Sequence, residues 1–197
     1  MTTRTLAVPG ATITYDVTGS GPVLLLIPGG PADATGFAPI RPLLAEDHTV
    51  VTFDPRGISR SPLDGEPGDH TLREHGIGAA IGAFAKMSGF DITPPTDPTP
   101  EELARMKVME GNFAYFFGHL MAAIGAYDPD LDALRAVTTR LVVGVGEKAA
   151  GLPAHEAGLG LAADLGLTAE LFPGDHGGFL AEPVAFAARL REVLKES

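Results

Sequence analysis

Residues 23–27 read Val-Leu-Leu-Leu-Ile between Pro22 and Pro28, a run that is apolar at every position and too short for a helix. A strand without a polar face is what a parallel sheet covered on both sides requires, so the run predicts a buried strand near the centre of such a sheet. A second run of the same kind, Thr-Val-Val-Thr-Phe at residues 49–53, follows residues 37–45, which predict a short helix. Two parallel strands joined through a helix form a right-handed crossover. Ahead of them, residues 11–17 alternate Ile13, Tyr15 and Val17 with Thr12, Thr14 and Asp16, the period of a strand with one wet face. Gly19-Ser20-Gly21-Pro22 ends that strand in a turn.

The C-terminal part repeats the alternation: a strand at 141–145, a helix at 153–165 stopped by Gly166, a strand at 169–172 and a helix at 183–194. Between the two parts the signals are helical. Thr71-Leu72-Arg73-Glu74 matches a capping box and predicts a helix opening near Leu72, weakened by Gly76, Gly78 and Gly82 but compatible with helix over 79–87. Residues 91–100 hold four prolines and read as a linker, after which Thr99-Pro100-Glu101-Glu102 supplies a cap, a proline at the first helical position and acids in the first turn. The helical stretch that follows runs to about Tyr127 and carries Phe113, Phe116, Phe117, Leu120, Met121 and Ile124. Gly111, Gly118 and Gly125 recur every seven residues, so one face of that helix could admit a close neighbour. Strand and helix alternating at both ends predict an α/β fold with a mostly parallel sheet and flanking helices, a single domain over 1–197 with a helical insertion at about 77–135.

Composition narrows the function. The 197 residues are 45% apolar and 20% charged, enough to build a core, and 14 basic against 25 acidic side chains give a formal charge of −11. Such a charge repels phosphate backbones and anionic lipid, which argues against nucleic-acid and membrane partners. No apolar run approaches the ~20 residues of a bilayer span, and residues 1–10 carry no targeting pattern, so a cytoplasmic location is expected. Without cysteine there is no disulfide, no thiolate zinc site and no thiol nucleophile. The six histidines, at 48, 70, 75, 119, 155 and 176, include no H-x-x-x-H pair, so neither a metal nor another cofactor is expected.

In α/β sheets ligands bind beyond the carboxyl ends of the strands. Four loops stand there: Pro28-Gly29-Gly30-Pro31, residues 54–61 (Asp-Pro-Arg-Gly-Ile-Ser-Arg-Ser), Gly146-Glu147-Lys148-Ala149, and Pro173-Gly174-Asp175-His176-Gly177-Gly178. In this order they resemble the α/β-hydrolase family over about 12–194. The resemblance implies an oxyanion loop at Gly29 and Gly30, a structural turn held by Asp54 and Arg56, and a catalytic histidine at His176.

The departures matter as much. None of the five serines, 20, 59, 61, 88 and 197, lies in the G-x-S-x-G nucleophile turn, and Ser59 and Ser61 read as turn hydroxyls. The family continues the Thr71 helix into a strand, the nucleophile turn, a helix and a further strand. Here His75-Gly76 leads directly into residues 77–87, which resemble the start of lid helices, so the resemblance is to a shortened member lacking that block. Ala149 stands where the family places its acid, leaving Glu147 as the neighbouring carboxylate.

Three functional readings follow. The first is a repurposed hydrolase fold without serine-hydrolase activity, offering Gly29 and Gly30 amides to an oxygen and Phe113, Phe116, Phe117 and Met121 to the apolar body of a small molecule. The second is an enzyme that uses His176 as general base. The third is a structural or assembly protein. Loss of the central block also predicts a homo-oligomer, most simply a homodimer, because strands deprived of neighbours leave unpaired backbone.

Overall fold

The computed structural model describes residues 1–65, 76–89 and 95–195. The expected helix start at Thr71 and residues 91–94 of the linker lie outside the described residues. The sequence predicts one domain over 1–197; contacts gather into two compact units, residues 1–82 with 92–126, and residues 83–91 with 127–197.

The first unit is built on a four-stranded sheet of β1 (Thr2–Val8), β2 (Ala11–Thr18), β3 (Val23–Leu26) and β4 (Thr49–Phe53), ordered β1-β2-β4-β3. β1 and β2 form an antiparallel hairpin from Thr2↔Val17 to Val8↔Ala11. β2 meets β4 antiparallel, and β3 meets β4 parallel in the register Val23↔Thr49 to Leu26↔Thr52. The sheet is therefore mixed rather than mostly parallel. The sequence gives no sign of β1, because its first six residues are all exposed and a strand with two wet faces has no apolar period.

β3 corrects a second expectation. Among the described residues it pairs on one side only and is the edge strand of this sheet rather than a central one, with Val23, Leu25 and Ile27 74%, 51% and 69% exposed. An unbroken apolar run fixes that a strand forms; its rank in the sheet depends on partners elsewhere in the chain.

The helix expected at 37–45 divides into a 3-10 turn, Ala34–Phe37, and a single α turn, α1 (Arg41–Leu44). Pro39 and Pro42 cause this, since neither has an amide to donate to a continuous ladder. Ile40, Leu44, Val50 and Ile58 are fully buried at the centre of the unit. α2 (Gly76–Ser88) is followed by Gly89 at φ +76°. α3 (Pro100–Tyr115) starts as expected, with Thr99 and Glu102 completing a reciprocal capping box. It runs through a π turn, Phe116–Leu120, into α4 (Met121–Gly125). A Cβ added at Gly111 or Gly125 would meet no atom within 4 Å, so among the described residues no backbone makes a close approach at either position.

The second unit holds α5 (Leu131–Ala136), β5 (Gly144–Gly146), α6 (Pro153–Asp164), β6 (Glu170–Phe172), α7 (Gly178–Ala181) and α8 (Pro183–Lys195). β5 and β6 pair in parallel. β5 begins three residues later than the apolar run at 141–145 suggests. α8 covers β6 through Phe186, whose ring lies 5.0 Å from that of Phe172, while Arg189 bonds the Leu171 carbonyl and pairs with Glu170. No helix among the described residues is long and apolar enough to cross a membrane.

Candidate functional site

Each unit brings two of the four expected loops together. In the first, the chain leaves β3 through residues 28–31 and leaves β4 into the turn at 54–61. Asp54 is buried and organises both: its Oδ1 accepts from the Ala34 amide at 3.1 Å and from Arg60 Nη2 at 3.0 Å, and its Oδ2 accepts from the Arg60 amide and Nε. Arg60, rather than the exposed Arg56, is the cation of this turn. It also reaches Asp16 of β2 at 3.0 Å. Burial pushes the Asp16 carboxyl up, and hydrogen bonds from Arg60 and Thr3 more than offset this and hold it below the usual carboxylate range. Ser61 is a fully buried turn hydroxyl, donating to the Asp54 carbonyl and accepting from the Thr14 amide.

Ser59 is different. It is the only non-glycine among the described residues with positive φ, at 47°. Its Oγ donates to Asp33 Oδ2 at 2.5 Å, and Asn112 of α3 clasps it from the other side, accepting from the Ser59 amide at 3.0 Å and donating from Nδ2 to Oγ at 2.9 Å. Asp33 and Asn112 are both buried. Asp33 Oδ1 in turn caps the 3-10 turn through the amide and hydroxyl of Thr35. Burial raises the Asp33 carboxyl, and the bonds from Ser59 and Thr35 outweigh burial and hold it below the usual range. One turn along α3, Tyr115 lies against Gly57, φ +76°, where a Cβ would come within 2.3 Å of the ring. No larger residue fits at Gly57 unless the Tyr115 ring moves.

Sequence reading missed Asp33, Arg60 and Asn112. The first sits two residues before Thr35, as an N-cap should, but Asn112 has no local signal because its partner is 53 residues away.

Gly29 and Gly30 lead into Asp33. Gly29 is exposed, its carbonyl accepts from the Ala32 amide, and nothing lies within 4 Å of where its Cβ would be. Gly30 has φ +57°. On α3 and the π turn, Phe116 is buried, and the rings of Phe113 and Phe117 stack at 5.6 Å. Phe117 and Met121 are half-buried.

In the second unit the amides of Glu147 and Lys148 donate to the carbonyls of Phe172 and Gly174, tying the 146–149 loop to the 173–178 turn. Gly146 allows this approach, since a Cβ there would lie 2.4 Å from the Asp175 carbonyl oxygen. The side chains of Glu147 and His176 are exposed, and Ala149 is buried. Lys148 pairs with Glu182 at 2.6 Å. Among the described residues no group of three or more His, Asp or Glu is placed to hold a metal ion.

This architecture is the α/β-hydrolase fold. Superposition gives a TM-score of 0.67 with a putative lipase from Acinetobacter baumannii, at 14% identity and covering 98% of this chain and 91% of that one. An esterase from Rhodococcus gives 0.59 at 17% identity, covering 99% of both chains. In sequence, the chain is 48% identical over 71 residues to the uncharacterized hydrolase YraK of Bacillus subtilis, and 42% identical over 67 residues to a fluoroacetate dehalogenase of a Burkholderia species. Those alignments take in 36% and 34% of this chain, and the chain spans only about a quarter of each relative's length, 26% and 22%. No protein-family model matches.

Proposed function

We propose that this chain is a hydrolase-fold protein that has given up Ser-His-Asp catalysis and binds a small, largely apolar molecule through an oxygen at Gly29 and Gly30. The state of Ser59 carries the reading. It has the left-handed backbone found at sharp functional turns, yet its hydroxyl is bound to a carboxylate held ionised by its own hydrogen bonds, and its second partner is an amide. A depressed carboxylate accepts a hydrogen bond but takes up no proton near neutral pH, so it does not activate the hydroxyl as an imidazole does. The sequence offers no serine in a nucleophile turn, in keeping with loss of the central block. Exposed backbone at Gly29 suits an incoming oxygen, and Phe113, Phe116, Phe117 and Met121, carried beside Asn112, suit an apolar body.

The test has two arms. A fluorophosphonate probe is expected to leave every serine unlabelled, and octanoate is expected to raise the melting temperature. Stoichiometric labelling that disappears in His176→Ala would overturn the loss of catalysis, and unchanged melting up to millimolar octanoate and decanoate would overturn the ligand reading. The exposed imidazole of His176, in the turn after β6, favours a second reading as general base on water or substrate. Turnover of 4-nitrophenyl butyrate that is abolished in His176→Ala without any serine labelling would establish it.

A further inference from the structure

The contact between α3 and the turn at 54–61 has a direction. The Ser59 amide can only donate, so the Asn112 atom that meets it at 3.0 Å is Oδ1, and the atom left facing Ser59 Oγ at 2.9 Å is Nδ2. Nδ2 is a donor, so Oγ accepts there and spends its single hydrogen on Asp33 Oδ2 at 2.5 Å. Asp33 Oδ1 is filled in turn by the amide and hydroxyl of Thr35. The bonds form one relay, from Asn112 through Ser59 to Asp33, in which no member can reverse alone. It joins segments 26 and 53 residues apart. On one side is α3, which carries Phe113 and leads into the π turn with Phe116 and Phe117. On the other is the loop that runs from Gly29 and Gly30 into the 3-10 turn capped by Asp33. Both end residues are buried, and Ser59 between them holds a positive φ at which glycine would be free of strain.

We infer that Asn112 is a positioning residue for the loop at 28–36, acting from α3 through Ser59 Oγ on Asp33, so that the rings of the helix and the amides of the loop keep one spacing. The relay stands on its own bonds; its consequence for binding rests on the ligand site at Gly29 and Gly30. A molecule held by its oxygen at the loop and by its chain at the rings meets both at the separation that the relay sets. Asn112 is thereby a determinant of ligand length.

Exchanging the two end residues tests the relay. In Asn112→Asp the Ser59 hydroxyl lies between two carboxylates with one hydrogen for both, and in Asp33→Asn it lies between two amide donors with no acceptor for its own hydrogen. The two substitutions together run the relay backwards with every bond kept and the net charge unchanged. Each single variant should lower the urea midpoint, and the double variant should lie closer to the parent than either. Position is read without ligand from the Thr35 amide resonance, since Asp33 Oδ1 holds that amide. Asn112→Asp should shift it at pH 7 and lose the shift toward about pH 5, because a like charge raises the new carboxyl above its usual value of about 4. Once protonated, that carboxyl donates to Ser59 Oγ as Nδ2 did. The charge of Arg60 favours the ionised form of Asp33, so the new group is the one that takes the proton. In a Ser59→Ala background the same substitution should leave the Thr35 resonance unmoved. For the ligand, two added methylenes should make decanoate bind the parent roughly tenfold more tightly than octanoate. That gain should vanish in Asn112→Asp at pH 7 and return in the double variant. A Thr35 resonance unmoved by Asn112→Asp, a shift that survives in Ser59→Ala, or a double variant no more stable than the single ones would each overturn the inference, whether or not either acid binds. An equal gain in parent and Asn112→Asp would overturn the part of Asn112 in ligand length, and a parent that binds neither acid would overturn the ligand site alone.

Discussion

Ser59 concentrates in one residue the conflict between backbone and side chain. Its positive φ is costly for an L-residue, and its hydroxyl is what Asp33 and Asn112 require. Ser59→Ala keeps the strain and removes the hydroxyl, leaving a buried carboxylate and a buried amide each short of a partner. It should cost about 2–3 kcal/mol in urea unfolding. Ser59→Gly loses the same bonds but relieves the backbone, so it should cost about 1 kcal/mol less than the alanine variant. Thr52 presents the opposite case. Its Oγ1 is fully buried without a hydrogen-bond partner, so the nearly isosteric Thr52→Val should raise stability by about 1 kcal/mol. A lower urea midpoint in that variant would mean the hydroxyl has a partner in solution, such as a bound water.

Between elements, the Arg60 guanidinium joins β2 to the turn after β4 by serving Asp16 and Asp54 together. Arg60→Leu strands two buried carboxylates. Because the arginine side chain is 41% exposed and partly screened, the expected loss is about 2–3 kcal/mol, below that of a fully buried pair. At the start of α3, Thr99→Ala removes one half of the capping box and should cost about 1 kcal/mol, read as faster amide exchange in the first turn of that helix. These elements were unevenly legible in the sequence. β4 and the start of α3 are written in local pattern, an apolar run and a cap, and both form where that pattern puts them. The edge position of β3 is not local information, since it is set by β2 coming alongside β4. The site follows the same division: Ser59 reads as a turn hydroxyl, but the carboxylate and amide that hold it come from 26 and 53 residues away. Long-range side-chain bonds leave no periodicity to find.

For the molecule as a whole, pH acts through carboxylates that the fold keeps ionised. Asp16 and Asp33 titrate below the usual carboxylate range when folded, so on acidification the unfolded chain takes up their protons first. Their contribution is complete above the unfolded value of about 4 and is lost as pH falls through the folded values. Urea midpoints should hardly change from pH 7 to about 5 and drop below about 4, and Asp33→Asn should be less stable at pH 7 with a shallower acid limb. An acid limb as steep in Asp33→Asn as in the parent would place the titrating groups elsewhere. The division into two units has a further consequence for the order in which the molecule can assemble during synthesis. All four strands of the first sheet have been made by residue 53, so that sheet can form while translation continues. The second unit joins residues 83–91 to residues 127–197, and Gly89 lies against Leu152, so its early segment waits through about sixty residues of synthesis for a packing partner. At ~5–20 residues per second that wait is several seconds or more, during which α2 has its first half in a unit that can already be folding and its second half in one that cannot.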